Sequence, residues 1–139
     1  MTTVTTMTTG TVRKLTPVLI VEEIEPCLPF WTERLGFRKT AEVPEGDKLG
    51  FVILEKDGVE LMYQTRASAA KDVPALAVPS RGDATGLFIE VSDVDAVARA
   101  LRGLEAVVPR RRTFYGMDEI GVREPGGRVV IFAQPVKSD

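Results

Sequence analysis

The chain contains no histidine. Without an imidazole, neither a Ser-His-Asp nor a Cys-His arrangement can form, because nothing supplies the base that activates the nucleophile. Cysteine occurs once, as Cys27. An intrachain disulfide is therefore impossible; a reducing, cytoplasmic setting is expected, with Cys27 buried and inert. Long apolar runs are missing too: "PVLIV" and "FVIL" fall far short of the ~20 residues that cross a bilayer, so no membrane partner is expected. Nor is either charge in excess. With 18 Lys+Arg against 20 Asp+Glu, the net charge of -2 argues against nucleic acid, whose phosphates draw affinity from clustered, unbalanced basic residues. The opening "MTTVTTMTTGT" lacks the basic start and apolar core of a signal peptide. Residues 1–12 are expected to be a disordered tail, and 136–139 a second short one.

What is present is ordinary globular material. Of the 139 residues, 44% are hydrophobic and 27% charged, enough to bury a core without staples. "LTPVLIV" (15–21) is a β-branched run, after which Ile24, Leu28, Trp31 and Leu35 form one helical stripe that stops at Gly36. Pro26 suits a first turn, whereas Pro29 would cost a hydrogen bond in a helix already begun. Three strand-like runs follow, "FRKTAEV", "LGFVILE" and "GVELMYQ", parted by turn chemistry at Pro44 to Gly46 and at Asp57-Gly58. The pattern over residues 13–64 is βαβββ. Residues 65–84 are rich in Ala, Ser and Pro without a clear period and are expected to be a connector, of a length that often serves as a lid or linker.

The pattern then restarts. "LFIEV" (87–91) is a strand, and "SDVDAVARALRG" puts Val94, Val97, Ala98 and Leu101 on one helical face, with Ser92 and Asp95 as a capping-box-like start and Gly103 as the stop. "EAVVPRRRTF", "MDEIGVRE" and "RVVIFAQ" supply three more strands, so residues 85–135 are again βαβββ. Leu19, Val21 and Ile24 lie 70 residues before Ile89, Val91 and Val94, which marks an internal repeat. The fold class is α+β, tandem βαβββ modules whose mixed sheet curves around a crevice. One helix covers only one face of each four-stranded sheet, leaving the other for a ligand.

Strand alternation assigns side chains to the two faces. Val59, Leu61 and Tyr63 belong under the helix, which turns Glu60, Met62 and Gln64 toward the crevice. There Glu60 would meet a ligand cation or donor, unless it pairs with an arginine or faces solvent. Leu87, Ile89 and Val91 belong to the helix side, sending Gly86, Phe88 and Glu90 to the crevice. Ile120 and Val122 are core, leaving Glu119 on the crevice side as a third acidic group, at the rim, or paired with Arg123. In "PRRRTFY" (109–115) the arginines alternate faces; a solvated edge competes with an anion site, and Arg112 is the candidate. Phe114 or Tyr115 would supply an aromatic wall, with core packing as the alternative. Trp31 is expected in the core.

"VEEIEPCLPFWTERLGF" (21–37) resembles the strand-helix signature of the vicinal oxygen chelate superfamily, which includes glyoxalase I, extradiol dioxygenases, and fosfomycin- and bleomycin-resistance proteins. "YGMDEIGVREPGG" (115–127) with "RVVIFAQ" resembles its closing hairpin, usually written with an Asp-Pro-Asp-Gly turn. The resemblance spans about residues 14–135 and implies the glyoxalase/bleomycin-resistance fold. It also implies four metal-ligand positions, here Thr16, Glu60, Gly86 and Ile131. Only Glu60 would bind an ion strongly, whereas a catalytic zinc needs three protein ligands. No metal and no cofactor are expected, with Glu60 a remnant of a metal site.

The resemblance thus implies a non-enzymatic protein like the metal-free bleomycin-resistance proteins, which hold a drug or metabolite in a crevice and so confer antibiotic resistance. Its partners would be a small, cationic or donor-rich ligand and a second copy of the chain. The ligand-binding set is Thr16, Glu60, Phe88, Glu90, Arg112, Tyr115 and Glu119. The alternative is a lyase or isomerase using Glu60 or Glu90 as base, or a dioxygenase-like enzyme with an incomplete metal site.

Overall fold

The computed structural model describes residues 10–11, 13–78 and 85–136. The expectations for most of the two tails and for the end of the connector therefore lie outside the described residues. Among these residues, eight strands form two sheets of four. β1 (Val18–Val21), β2 (Arg38–Glu45), β3 (Lys48–Lys56) and β4 (Val59–Thr65) build the first, in the order β1-β4-β3-β2. β5 (Leu87–Glu90), β6 (Val108–Arg112), β7 (Met117–Arg123) and β8 (Val129–Pro135) build the second, in the order β5-β8-β7-β6. In each sheet the first strand runs parallel to the last and the other pairs are antiparallel, so the architecture is α+β with two mixed, open sheets. The internal repeat reappears in the registers: Leu19 lies opposite Tyr63, and Ile89 opposite Phe132.

The first module departs from a regular helix. A 3-10 turn, Glu25–Cys27, is followed by a π-helical turn, Phe30–Arg34, with Pro29 at its N-cap. Proline has no N–H to donate, so Pro26 and Pro29 prevent one continuous ladder from forming. The apolar stripe survives the interruption, because Ile24, Trp31 and Leu35 are buried and Leu28 is partly buried. Gly36 ends the segment at φ +77°, where Phe37 N–H donates to the Trp31 carbonyl at 2.8 Å. That left-handed conformation is open to glycine at no steric cost.

The connector is more ordered than its composition indicates. It starts as α1 (Arg66–Asp72) and α2 (Pro74–Ala77). Thr65 caps α1 by accepting from Ser68 N–H at 3.1 Å. Only Ala69 of these helices is buried, which is why no apolar period announces them. In the second module α3 (Val94–Ala100) is capped by Asp93, whose Oδ1 accepts from Ala96 N–H at 3.1 Å. The cap is therefore neither Ser92 nor Asp95.

The helix-side faces of both sheets share one core. Leu19, Val21, Val52, Leu54, Leu61 and Tyr63 from the first module join Leu101, Val122, Val130 and Phe132 from the second. Full burial of each aliphatic side chain favours folding by roughly 1.5–3 kcal/mol. A polar chain crosses this interior. Trp31 Nε1 donates to the Tyr63 hydroxyl at 2.9 Å, which donates to Glu124 Oε2 at 2.5 Å. Glu124 is buried and also accepts from Gly126 N–H at 2.6 Å and Arg128 N–H at 2.8 Å. A buried carboxylate is stable when its oxygens find donors, and here they come from both modules. Arg34 adds a second tie, donating to the carbonyls of Ala100 at 3.2 Å and Arg102 at 2.9 Å.

Candidate functional site

The faces turned away from the shared core remain accessible, and the registers show which residues they gather. On the first sheet, Thr16 is half-buried just ahead of β1. Extending the pairing of Val18 with Met62 places Thr16 level with Glu60. Glu60 carries an ion pair: its Oε1 stands 3.0 Å from Lys14 Nζ. Its neighbour Met62 is half-buried, and Gln64 is buried with its Nε2 donating to Ser68 Oγ at 3.2 Å.

The open face of the second sheet is better furnished. One row across it runs Glu90, Ala133, Glu119, Arg111, and the next runs Phe88, Ile131, Gly121, Val108. Ala133 and Gly121 carry little or no side chain, so the middle of the face is shallow between Phe88 on one flank and Arg111 on the other. Gly121 is also sterically required, because a Cβ there would lie 2.8 Å from the Val108 Cβ. Phe88 is half-exposed and Glu90 exposed.

Glu119 is the centre of this face. It is 0% exposed, yet its carboxyl-bearing side chain sits on the side of the sheet away from the core. Arg111 reaches its Oε1 through Nε at 2.9 Å and Nη2 at 2.8 Å, and the Tyr115 hydroxyl donates to the same oxygen at 2.8 Å. The Glu119 carboxylate holds the Arg111 guanidinium above its ordinary pKa through that hydrogen bond. Oε2 has no hydrogen-bond partner among the described residues. A buried carboxylate oxygen without a donor is costly, and the donor it lacks is one a ligand can bring. Tyr115 and Phe114 stand over the site edge to face, ring centres 5.0 Å apart at 86°, with Phe114 fully exposed.

Four members of the expected set, Phe88, Glu90, Tyr115 and Glu119, thus share one face, whereas Thr16 and Glu60 belong to the other sheet. Arg112 lies opposite Asp118 in the register and so points to the other side of β6 from Arg111. Arg123, the partner considered for Glu119, donates instead to the Gly127 carbonyl at 2.8 Å. Arg111 is the residue the sequence argument missed. The turn from Thr113 to Met117, closed by Thr113 N–H to the Met117 carbonyl, sets the count: one step back pairs 112 with 118, the next 111 with 119.

A groove of about 410 Å³ between the modules forms a second recess. Its floor is apolar, with Leu35, Phe37, Ile89, Val97 and Phe132, and Glu90 stands in its wall. The four positions that a metal centre would draw on do not fit an ion. Gly86 and Ile131 offer no side-chain donor, Glu60 is paired with Lys14, and no group of three or more His, Cys, Asp or Glu suited to a metal occurs among the described residues.

The family model of the glyoxalase/bleomycin resistance protein/dioxygenase superfamily matches residues 13–132. Among solved structures, the chain is similar to a glyoxalase/bleomycin resistance protein/dioxygenase from Nocardioides, with 22% identity, TM-score 0.71, and 94% of this chain and 89% of that one covered. It is similar to the bleomycin-binding protein of Streptomyces verticillus, solved with copper(II)-bleomycin, at 23% identity and TM-score 0.60 over 93% of this chain and 99% of the other. Lactoylglutathione lyase from Agrobacterium tumefaciens is 13% identical, with TM-score 0.67 over 88% and 92%. At such identities these likenesses speak for the fold alone. No curated protein sequence matches the chain.

Proposed function

The chain belongs to the glyoxalase/bleomycin resistance protein/dioxygenase superfamily, and from that premise we propose that it is a metal-independent small-molecule-binding protein of the bleomycin-resistance kind. Its ligand is cationic or rich in hydrogen-bond donors and carries a flat apolar part. The observation that carries this reading is Glu119, a fully buried carboxyl on the sheet face turned from the core, with Oε2 unpartnered among the described residues. A ligand ammonium or amide N–H supplies the missing donor once the side chains covering Oε2 shift to admit it, while Phe88, Tyr115 and Phe114 offer aromatic surface for the apolar part. Arg111 and Tyr115 hold the carboxylate in place from its other oxygen. Drug sequestration, a cytoplasmic location and a dimer in which a second copy covers the open face are parts of the same proposal.

The test is a thermal-shift screen of cationic aromatic compounds, bleomycin among them, against the wild type and Glu119→Gln. A ligand that binds only the native state raises the Tm. At least one cation is expected to do so, and Glu119→Gln is expected to weaken its binding by about tenfold or more, the effect of losing a charge-assisted hydrogen bond. No stabilising cation, or equal binding by both proteins, sinks the proposal.

A second reading, a lyase or isomerase with a glutamate base, draws on Glu90, which is exposed in the wall of the apolar groove. It requires turnover that disappears in Glu90→Gln and persists in Glu119→Gln.

A further inference from the structure

We propose that the seam between the two sheets is an anion site, in which Arg66, Arg123 and Arg128 receive the phosphate or carboxylate head of a small organic molecule. The three guanidinium-bearing residues come from α1, β7 and the β7–β8 turn, and they line one cavity of about 480 Å³. Ile20 and Val129 give it an apolar wall, and none of its described lining residues is acidic. This proposal does not depend on Glu119 or on the reading above.

The hydrogen bonds explain how three like charges are held there. Arg123 Nη1 donates to the Gly127 carbonyl at 2.8 Å and Arg128 Nη2 to the Ile20 carbonyl at 3.2 Å. Arg66 donates through Nη1 to the Ala77 carbonyl at 2.7 Å and through Nε to Glu22 Oε1 at 2.7 Å. Carbonyls orient a guanidinium without neutralising it. Among the described residues, neither Arg123 nor Arg128 has a carboxylate partner, whereas Arg38 and Arg111 each have one and Arg110 has two. Arg123 and Arg128 therefore bring positive charge to the recess without a carboxylate partner among the described residues, and Arg66 shares its own with Glu22. Repulsion among the three is relieved by an oxyanion, whose oxygens match the fork of N–H groups each arginine still has to offer. The cavity falls in the range of small-molecule sites, roughly 300–1,000 Å³, so it takes a body attached to the anionic head and not a bare ion alone.

The experiment measures binding of phenyl phosphate and of phthalate by calorimetry and thermal shift, at matched ionic strength, with benzyltrimethylammonium as the cation control. Saturable binding of at least one anion is expected, weakened about tenfold or more in Arg123→Ala and in the Arg123→Ala/Arg128→Ala pair, as expected for the loss of charge-assisted hydrogen bonds. Arg99→Ala, on the exposed surface of α3, should bind as the wild type does. Preference for phenyl phosphate assigns a phosphate head; preference for phthalate assigns a carboxylate. Should Arg128→Ala fail to fold, Arg123→Ala decides alone, since Arg123 is exposed and its recorded hydrogen bond is to one carbonyl. Absence of saturable anion binding, or binding that survives Arg123→Ala, or an equal loss in Arg99→Ala, overturns the proposal.

Discussion

Tyr63 is the residue on which the interior turns, because its hydroxyl accepts from Trp31 and donates to Glu124, and all three side chains are buried. Burial, followed by the bond to Glu124, pushes its pKa up. Tyr63→Phe keeps the ring and strands a buried indole N–H while removing one donor from a buried carboxylate. Urea unfolding is expected to show a loss of about 2–3 kcal/mol; a loss under about 0.5 kcal/mol would mean the bonds contribute nothing net. Cys27 makes a second prediction. Burial first, then the charge of Glu124, pushes its thiol from the ordinary 9.0 up to about 11. The unfolded chain then gives up the thiol proton at lower pH than the folded one. Stability should be fully present below about pH 9 and fall as pH rises toward 11. Tyr63 shifts in the same direction, so Cys27→Ala should flatten the decline without abolishing it, as measured by urea midpoints across that range. Some of this was legible in the sequence: Trp31 and Cys27 read as core. The Glu124 contact was not, since Tyr63 and Glu124 are brought together by tertiary packing alone.

Among the elements, strands were the most readable. Alternation put Leu61 and Tyr63 under the helical segment and Glu60 and Met62 opposite, and burial follows that pattern. Val59, half-exposed at the strand's start, and Gln64, buried on the opposite face, are the exceptions. Helical content was less readable for a physical reason: an apolar stripe reports which side chains are buried, whereas Pro26 and Pro29 decide which backbone bonds can close. The six residues from Val108 to Thr113 show how a single turn fixes a site. Counting from the Thr113–Met117 closure selects Arg111 over Arg112, and Gly121 lets Val108 lie close across the strand. Gly121→Ala must push Val108 away, since its new Cβ would sit 2.8 Å from that side chain. Overpacking of this kind costs about 1–3 kcal/mol. Thermal denaturation should register that loss, and hydrogen exchange should be faster along β6; unchanged exchange there would contradict the close packing inferred for the pair.

For the molecule as a whole, the repeat of 70 residues was enough to foresee two matching sheets, because each βαβββ unit repeats the same alternation and the same turn positions. The seam arginines could not be foreseen that way: Arg66, Arg123 and Arg128 are scattered in sequence, and only the joining of the halves makes them neighbours. The same joining governs how the chain comes into being. A nascent polypeptide emerging from the ribosome exposes Trp31 and Tyr63 long before Glu124 exists, so the indole can find the phenol early, but the phenol lacks its acceptor until the closing hairpin is released. Synthesis order thus makes the arrival of Glu124 the moment at which this buried chain of hydrogen bonds can close.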